Sequence, residues 1–232
     1  SGATVYTDVK TAKEKLGASS NHAAVFWPKG AVGEKIYCLS ALAAAETANT
    51  DATNGDVPFE SPSNKALNIT ATVLDDGTEV ALDQEQANLL NGQGVITAIN
   101  SNGFKLWGNN TAAYPSTTDP KDRWLAVRRF FDWDGNNFIL TYWQKVDKPG
   151  NKRLIQSIVD SQNIIGNGYV ARDYCAGYRI EFRDDENPIT DLLDGKLTTH
   201  TYLAPYIPAE KIVNIREYDT AALEAALTGG SD

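Results

Sequence analysis

Residues 103–111 read GFKLWGNNT, and this stretch joins two apolar runs of the chain. It holds two glycines, two aromatic residues, a lysine and an asparagine pair. Three interpretations fit such a composition: a ligand-binding loop, an N-glycosylation acceptor at Asn109, or a structural corner where the chain changes direction. The acceptor sequence is a frequent chance match, so the ligand loop and the corner are the alternatives that matter.

Composition indicates a globular protein. The chain has 232 residues, of which 42% are hydrophobic and 22% charged, enough for one large domain or two small ones. The net charge of −9 argues against a general nucleic-acid binder. No apolar run approaches the roughly 18 residues of a membrane span. Cys38 and Cys175 form no CxxC pair, so neither a disulfide framework nor a zinc site is indicated. We expect no nucleic-acid and no membrane partner.

Charge is distributed unevenly along the chain. Residues 41–92 carry nine acidic residues and one lysine, a net charge of −8. Residues 121–153 carry eight basic and four acidic residues, a net charge of +4. Complementary blocks of this kind can steer self-association, and the solvated faces of an ordinary monomer are an equally good interpretation.

The first half of the sequence has the pattern of an α/β layer. The elements expected there are a helix at 7–16, a buried strand at 22–27, an alanine-rich helix from about Ser40 to 48, a loop at 49–63, a hairpin at 69–82, a helix capped by Asp83 and ending at Gly92, and strands at 95–99 and from 103. A helix followed by a continuous apolar strand is typical of such layering.

The second half contains one conflict between local rules. We expect a polar loop at 111–121 and a strand at 124–131. For residues 131–146, the turn sequence Asp-Gly-Asn-Asn at 134–137 predicts a hairpin, whereas the apolar residues recur with helical spacing. The residues alone leave both alternatives open.

The C-terminal third predicts a helix, three strands and a terminal helix. The amphipathic helix covers 154–165 and ends at Gly166, the strands cover 178–183, 196–203 and 212–218, and the last helix covers 220–227 before a flexible GGSD tail. The strand at 212–218 is isolated by a proline-flanked link at 205–208. It needs a partner edge, which can belong to another chain.

No catalytic pattern emerges from the sequence. His22 and His200 are interpreted as structural, and the acidic run 184–186 as a solvated turn, because its spacing does not direct several carboxylates at one ion. There is no GxSxG, GxxxxGK[ST] or HExxH sequence. We therefore expect no enzyme activity, no cofactor and no metal site.

Several motifs occur together in a fixed order. They are SPSNK at 61–65, ANLLN at 87–91, the apolar run 94–99, GFKLWGN at 103–109 with Phe104, Trp107, Gly108 and Asn109, then Trp124 after Asp122-Arg123, Arg128 and Arg129 after Val127, LTYWQKVD at 140–147, and the run from ENPITDLLDGKL to HTYLAP. In these motifs, from about residue 20 onward, the chain resembles the C-terminal half to two-thirds of the tail sheath protein of contractile-tailed bacteriophages, prophages and R-type pyocins. Asn110 departs from the family, which usually has arginine there, so contacts made by that arginine are in doubt.

The resemblance implies a fold between α/β and α+β, with a partial α/β layer, a sheath domain with a mixed sheet and flanking helices, and a terminal strand-exchange arm. The corresponding division is 1–105, 106–204 and 205–232. It favours the helix over the hairpin for 131–146. The family's N-terminal arm is not matched, and the chain contains no methionine, so we expect a fragment.

The resemblance also implies a mechanical function. Sheath subunits form a homo-oligomer around a tail tube protein, with baseplate and terminator proteins as further partners, in a virion tail assembled in the host cytoplasm. The arm expected to cross to a neighbour comprises Ile212, Val213, Asn214, Ile215, Arg216, Glu217 and Tyr218, and the candidates for tube contact are Lys152 and Arg153. A fragment alone should be monomeric or weakly associated. The competing hypothesis is a small-molecule-binding or hydrolytic α/β domain with its pocket near 103–111.

Overall fold

The structure is a computed structural model of the chain that describes residues 2–229. Its strands are β1 (Val25–Phe26), β2 (Lys29–Val32), β3 (Lys35–Tyr37), β4 (Ala71–Val73), β5 (Val95–Asn100), β6 (Phe104–Trp107), β7 (Cys175–Glu181) and β8 (His200–Pro205). Its helices are α1 (Val9–Lys15), α2 (Leu39–Thr53), α3 (Gln84–Gly92), α4 (Pro120–Arg123), α5 (Leu125–Tyr142), α6 (Lys152–Ala171), α7 (Ile189–Leu193) and α8 (Thr220–Thr228). The mixed α and β fold predicted from the sequence is confirmed.

A three-stranded sheet with the order β1-β5-β6 forms the centre of the first half. β5 is the central strand, with β1 paired to it in parallel and β6 paired to it antiparallel, and its side chains are buried from Val95 to Ile99. Leu39 and Ala43 of α2 pack against this sheet with Ile96 and Leu106. The strands expected at 22–27 and 95–99 are present, although β1 is reduced to two residues.

The predicted hairpin belongs to a second sheet, with the order β3-β2-β4. The backbone N–H of Leu74 donates to the carbonyl of Thr78, and the N–H of Val80 donates to the carbonyl of Thr72, both at 2.8 Å. Asp83 caps α3 as expected, and it forms a capping box with Gln86. The loop expected at 49–63 begins late, since α2 continues to Thr53.

The strand expected at 124–131 is wrong, because the chain forms the continuous helix α5 from Leu125 to Tyr142. Ala126, Val127 and Phe130 lie on one helical face and are buried. Within the Asp-Gly-Asn-Asn turn signal, Gly135 and Asn136 are exposed, whereas Asp134 is buried on the core side of the helix. Burial of an apolar stripe therefore overrides local turn preference. The helix that the family resemblance favoured for 131–146 is confirmed.

A second core lies between α5, α6 and the two-stranded sheet β7-β8. Phe130, Tyr169, Tyr178 and Ile180 meet there. The predicted end of α6 at Gly166 is wrong, because the helix continues to Ala171. β7 begins three residues earlier than the expected strand, and β8 begins at His200 rather than at residue 196.

The C-terminal segment leaves the body after β8. Residues 206–219 carry no regular secondary structure, so the strand expected at 212–218 is not formed within a single chain. The terminal helix is confirmed as α8. The tail predicted after it lies, apart from Gly229, outside the described residues.

Gly166 allows α6 to approach β7. A Cβ at this position would lie 1.9 Å from Cδ1 and 2.3 Å from Cγ of Tyr178, which is far inside contact distance. A helix-breaking signal in the sequence is therefore a packing requirement in the structure.

We expect Gly166→Ala to lower the free energy of unfolding by about 1–3 kcal/mol, because the added methyl displaces the Tyr178 ring. Gly168→Ala is the matched control in the same helix. Its Cβ would meet only the end of the Arg172 side chain, at 3.4 Å. The control should be neutral or stabilising by up to about 1 kcal/mol. Chemical denaturation measures both, and equal effects would contradict the packing argument.

A buried polar group lies inside the second core. Asp134 of α5 is 6% exposed and Gln162 of α6 is 1% exposed. The Gln162 amide donates to the Tyr178 hydroxyl at 2.7 Å, and that hydroxyl donates to Oδ2 of Asp134 at 3.3 Å. Asp134 Oδ1 and Gln162 Oε1 find no donor among the described residues. Burial raises the pKa of the Asp134 carboxyl to about 6, against the opposing effect of the Tyr178 hydrogen bond.

This raised pKa predicts the sign of a pH effect on stability. The folded state binds the proton of Asp134 more tightly than the unfolded state does. Protonation of Asp134 therefore contributes its full stabilisation below about pH 3.8, and this contribution is lost as the pH rises towards about 6. Across this window the wild type should lose up to about 1.4 kcal/mol per pH unit relative to Asp134→Asn. The measurement is denaturant unfolding at a series of pH values. Asp160→Asn, which removes an exposed carboxylate from α6 and keeps Asp134, is the control and should lose stability across this window as the wild type does.

Candidate subunit interface

The stretch 103–111 forms a corner in the structure. β6 begins directly after a turn at Gly103 (φ +104°), and Gly108 (φ +140°) directly follows its last residue. A Cβ at Gly108 would lie 2.6 Å from Oδ1 of Asn91 and 3.1 Å from Cα of Ile96. Both the positive φ and the close approach require glycine there. The backbone therefore turns sharply at both glycines.

The asparagine pair connects this corner to three other parts of the chain. The Asn109 carbonyl accepts from the N–H of Leu125 at 2.8 Å, and its side-chain oxygen accepts from the Ser61 hydroxyl. The Asn110 amide donates to the Asn91 carbonyl at 3.0 Å. Asn110 is 2% exposed. These bonds place α5 relative to α3 and to the loop before β4.

Arg123 contacts Asn110, the position at which this sequence departs from the family pattern. Its Nε donates to Oδ1 of Asn110 at 2.9 Å. Its guanidinium lies 4.3 Å from the Tyr114 ring centroid and 4.1 Å from that of Trp124. An arginine thus reaches the corner from 13 residues further along the chain, and the buried Asn110 accepts from it.

The same guanidinium contacts the start of the C-terminal segment, residues 206–210, which we call the arm root. Arg123 Nη2 lies 3.1 Å from a carboxylate oxygen of Glu210, and the Tyr206 hydroxyl donates to Oδ1 of Asp173 at 2.7 Å. Between these two contacts the arm root borders an open groove of about 970 Å³ beside Trp107. Sequence analysis missed both contacts, because 87 and 33 residues separate the partners and no local pattern marks them.

Arg128 and Arg129 act within the chain. The guanidinium of Arg129 forms a bidentate ion pair with the carboxylate of Asp51 on α2. Arg128 pairs with Asp132 at 2.7 Å and with Asp122 at 3.5 Å. Arg129 therefore joins α5 to the first half of the fold, whereas Arg128 pairs within α5 and with α4. Trp124, which precedes α5, is 7% exposed.

The arm residues are strongly exposed in the single chain. Ile212 is 87% exposed, Val213 67%, Ile215 81% and Tyr218 75%. The sheet from which the arm departs has only two strands, and within the described residues neither β7 nor β8 has a second partner strand. An exposed apolar segment and unpaired strand edges are thus present on the same subunit.

The two tube-contact candidates lie in the first turn of α6. Lys152 and Arg153 are both exposed. Asn151 caps this helix, its side chain accepting from the N–H of Leu154 at 2.9 Å. The structure brings these two residues together, on a different element from the arm.

The histidines take part in local polar contacts. His200 Nδ1 lies 2.7 Å from a carboxylate oxygen of Glu186, and His22 Nε2 lies 3.4 Å from Asp132. Across residues 2–229, no three His, Cys, Asp or Glu residues come together as a metal site. In the same part of the chain no helix is long and apolar enough to cross a membrane.

Known relatives share both the sequence and the fold. No family model matches the chain. The tail sheath protein of Burkholderia phage BcepMu is 31% identical over 203 residues, which cover 85% of this chain and 41% of that protein. The tail sheath protein of Escherichia phage P2 is 27% identical over 225 residues, which cover 91% of this chain and 53% of that protein.

The chain is a member of the contractile tail sheath family. It spans about half the length of these relatives. Two cryo-EM structures share its fold. The PVC sheath complex of an extracellular contractile injection system, in the contracted state, matches 95% of this chain and 62% of its own with a TM-score of 0.78 and 20% identity. A chain of the anti-feeding prophage baseplate matches 88% of this chain and 56% of its own, with a TM-score of 0.76 and 22% identity.

The corner is held to the rest of the fold by its apolar side chains. Phe104, Leu106 and Trp107 are the apolar residues of this corner. In the structure Leu106 is fully buried, whereas Phe104 and Trp107 are half-buried, and the Trp107 indole N–H donates to Oδ1 of Asn88 at 3.1 Å. Leu106 is therefore the principal anchor.

We expect Leu106→Ala to lower the free energy of unfolding by about 2–5 kcal/mol, because it leaves a cavity beneath α2. Trp107→Ala should cost less, since part of the ring already contacts water. Equilibrium denaturation of the two variants gives the order. A larger loss for Trp107→Ala would mean that the indole, and not Leu106, anchors the corner.

Proposed function

We propose that this chain is the polymerising part of a contractile tail sheath subunit, and that the arm at 212–218 pairs with the sheet of a neighbouring copy. The observation that carries the proposal is the exposure of Ile212, Val213 and Ile215 beside a sheet with unpaired edges. An added strand would satisfy backbone groups on both partners and bury these side chains.

The mechanism that follows is mechanical. Each subunit folds as a body with its own cores, and the arm links it to the next body. The drive for contraction is then a difference in packing free energy between two arrangements of the same bodies, repeated over many equal interfaces. The partners are further copies of the chain, a tail tube protein, and baseplate and terminator proteins. The location is a virion tail assembled in the host cytoplasm.

The division into 1–105, 106–204 and 205–232 is part of the proposal. It is supported by two hydrophobic clusters built almost entirely from the first segment and by another, around Phe130 and Tyr178, built mainly from the second. The function is structural and not catalytic. The competing pocket hypothesis gains no specific support, since the groove beside Trp107 is open and bordered by the arm root.

The strand-exchange proposal predicts that Val213→Asp with Ile215→Asp abolishes tubes without unfolding the subunit. Both side chains are exposed in the single chain, so the free energy of unfolding should change by less than about 0.5 kcal/mol. Asn214→Ser, between them, is the matched control and should assemble normally. Electron microscopy of the protein, expressed with any sequence that flanks it in its genome, gives the result. Tubes of normal length from the double variant would refute the proposal.

A second prediction concerns the tube. Charge reversal of Lys152→Glu with Arg153→Glu should leave the subunit folded but prevent it from coating tubes made of the tube protein, because weak polar contacts depend on charge. Lys10→Glu with Lys15→Glu makes the same charge change on α1 and should coat normally. Unchanged coating by the α6 variant would show that the tube contacts a different surface.

A further inference from the structure

The helix α8 has no cover in the single chain. It contains six hydrophobic residues in nine positions, and each of its residues is exposed. Leu223 and Leu227 lie one turn apart, 43% and 77% exposed. Isolated helices shorter than about 12–15 residues are marginal in water even with good helix formers. A helix of this length and composition needs a surface to pack against.

A matching surface lies at the end of α5. Ile139, Leu140 and Trp143 are 55%, 77% and 72% exposed, and Val146 in the following turn is 63% exposed. We call these four residues the α5 patch. They are directed outward because Tyr142 faces inward, where its hydroxyl meets Oγ of Ser161 at 2.8 Å. A large exposed apolar cluster with a tryptophan is typical of a protein contact.

Charge indicates which surface meets which. Residues 139–153 around the α5 patch carry four basic residues and one acidic residue, a net charge of +3. Residues 217–229, which include α8, carry three acidic residues and no basic residue, a net charge of −3. Opposite charges around two apolar surfaces favour their association and oppose the pairing of either surface with itself.

We propose that α8 of one copy packs, through Leu223 and Leu227, on the α5 patch of a second copy. Both surfaces are exposed in the single chain, so they do not meet within it. This inference rests on the proposed function, since it takes the partner to be another sheath subunit. It adds a second contact to the arm, beyond the strand at 212–218, and names its acceptor.

Photo-crosslinking identifies the acceptor directly. The full chain with p-benzoylphenylalanine in place of Leu227 is mixed in 14N and 15N forms at the highest soluble concentration and irradiated. The expected result is a link between differently labelled copies that maps to 139–148. Links within one chain, links to another surface, or no link at all would overturn the proposal.

Matched leucine variants measure the strength of the contact. Leu140→Asp and Leu227→Asp should each raise the dissociation constant for self-association about tenfold or more, because a charge replaces an apolar side chain that the contact between copies would bury. Leu193→Asp on α7 is the control, since Leu193 is equally exposed at 78% and lies outside the α5 patch. Sedimentation velocity compares the three, and equal behaviour would count against the contact.

Charge exchange supplies a test that misfolding cannot mimic. Glu224→Lys alone should weaken self-association, and so should Lys145→Glu with Lys148→Glu. Mixing the two variant proteins should restore it. Failure of this restoration would refute the proposed charge pairing.

The two proposals fail in different ways. Normal tubes from Leu227→Asp protein would refute the α8 contact and leave the sheath function intact. If wild-type protein formed no tubes while the link from residue 227 to the α5 patch was present, the sheath function would fail and the contact would stand. A link from residue 227 to the tube protein in coated tubes would replace the second copy as occupant and overturn the inference.

Discussion

The backbone pairing of Asn110 with Trp124 fixes where α5 begins, and the second half of the molecule depends on it. The N–H of Thr111 donates to the carbonyl of Arg123, and the N–H of Leu125 donates to the carbonyl of Asn109, both at 2.8 Å. These bonds hold an extended backbone immediately before the helix. The direction of α5 then determines where α6 and the β7-β8 sheet can pack.

The body and the arm differ in how completely their groups are satisfied. In the body, apolar residues form buried cores, although the α5 patch is exposed, and most buried polar atoms are paired, with Oδ1 of Asp134 and Oε1 of Gln162 among the exceptions. In the arm, apolar residues are exposed from Ile212 to Leu227. Burial of an exposed apolar surface lowers the free energy. Because the arm is not buried against its own body, its association with another surface would provide this stabilisation.

The sequence predicts elements better than contacts between them. Continuous apolar runs identify β1 and β5, and Asp83 identifies the start of α3, because these signals are local. At 124–131 the sequence was misleading, since a short segment rich in apolar and aromatic residues resembles a strand until the neighbouring turns of α5 are included. Gly166 was misread as a helix end because its reason, the ring of Tyr178, is 12 residues away. Arg123 with Glu210, and Asp134 with Tyr178, were invisible for the same reason: only the fold brings them together.

The unstructured link between β8 and α8 has a length that can be converted to a reach. Its 14 residues, 206–219, span up to about 46 Å when extended at roughly 3.3 Å per residue. A body of about 200 residues has a radius of gyration near 17 Å. Once Tyr206 and Glu210 are released from their contacts with the body, a copy that holds α8 could therefore lie up to about 46 Å from the end of β8, a distance greater than the radius of gyration of a body.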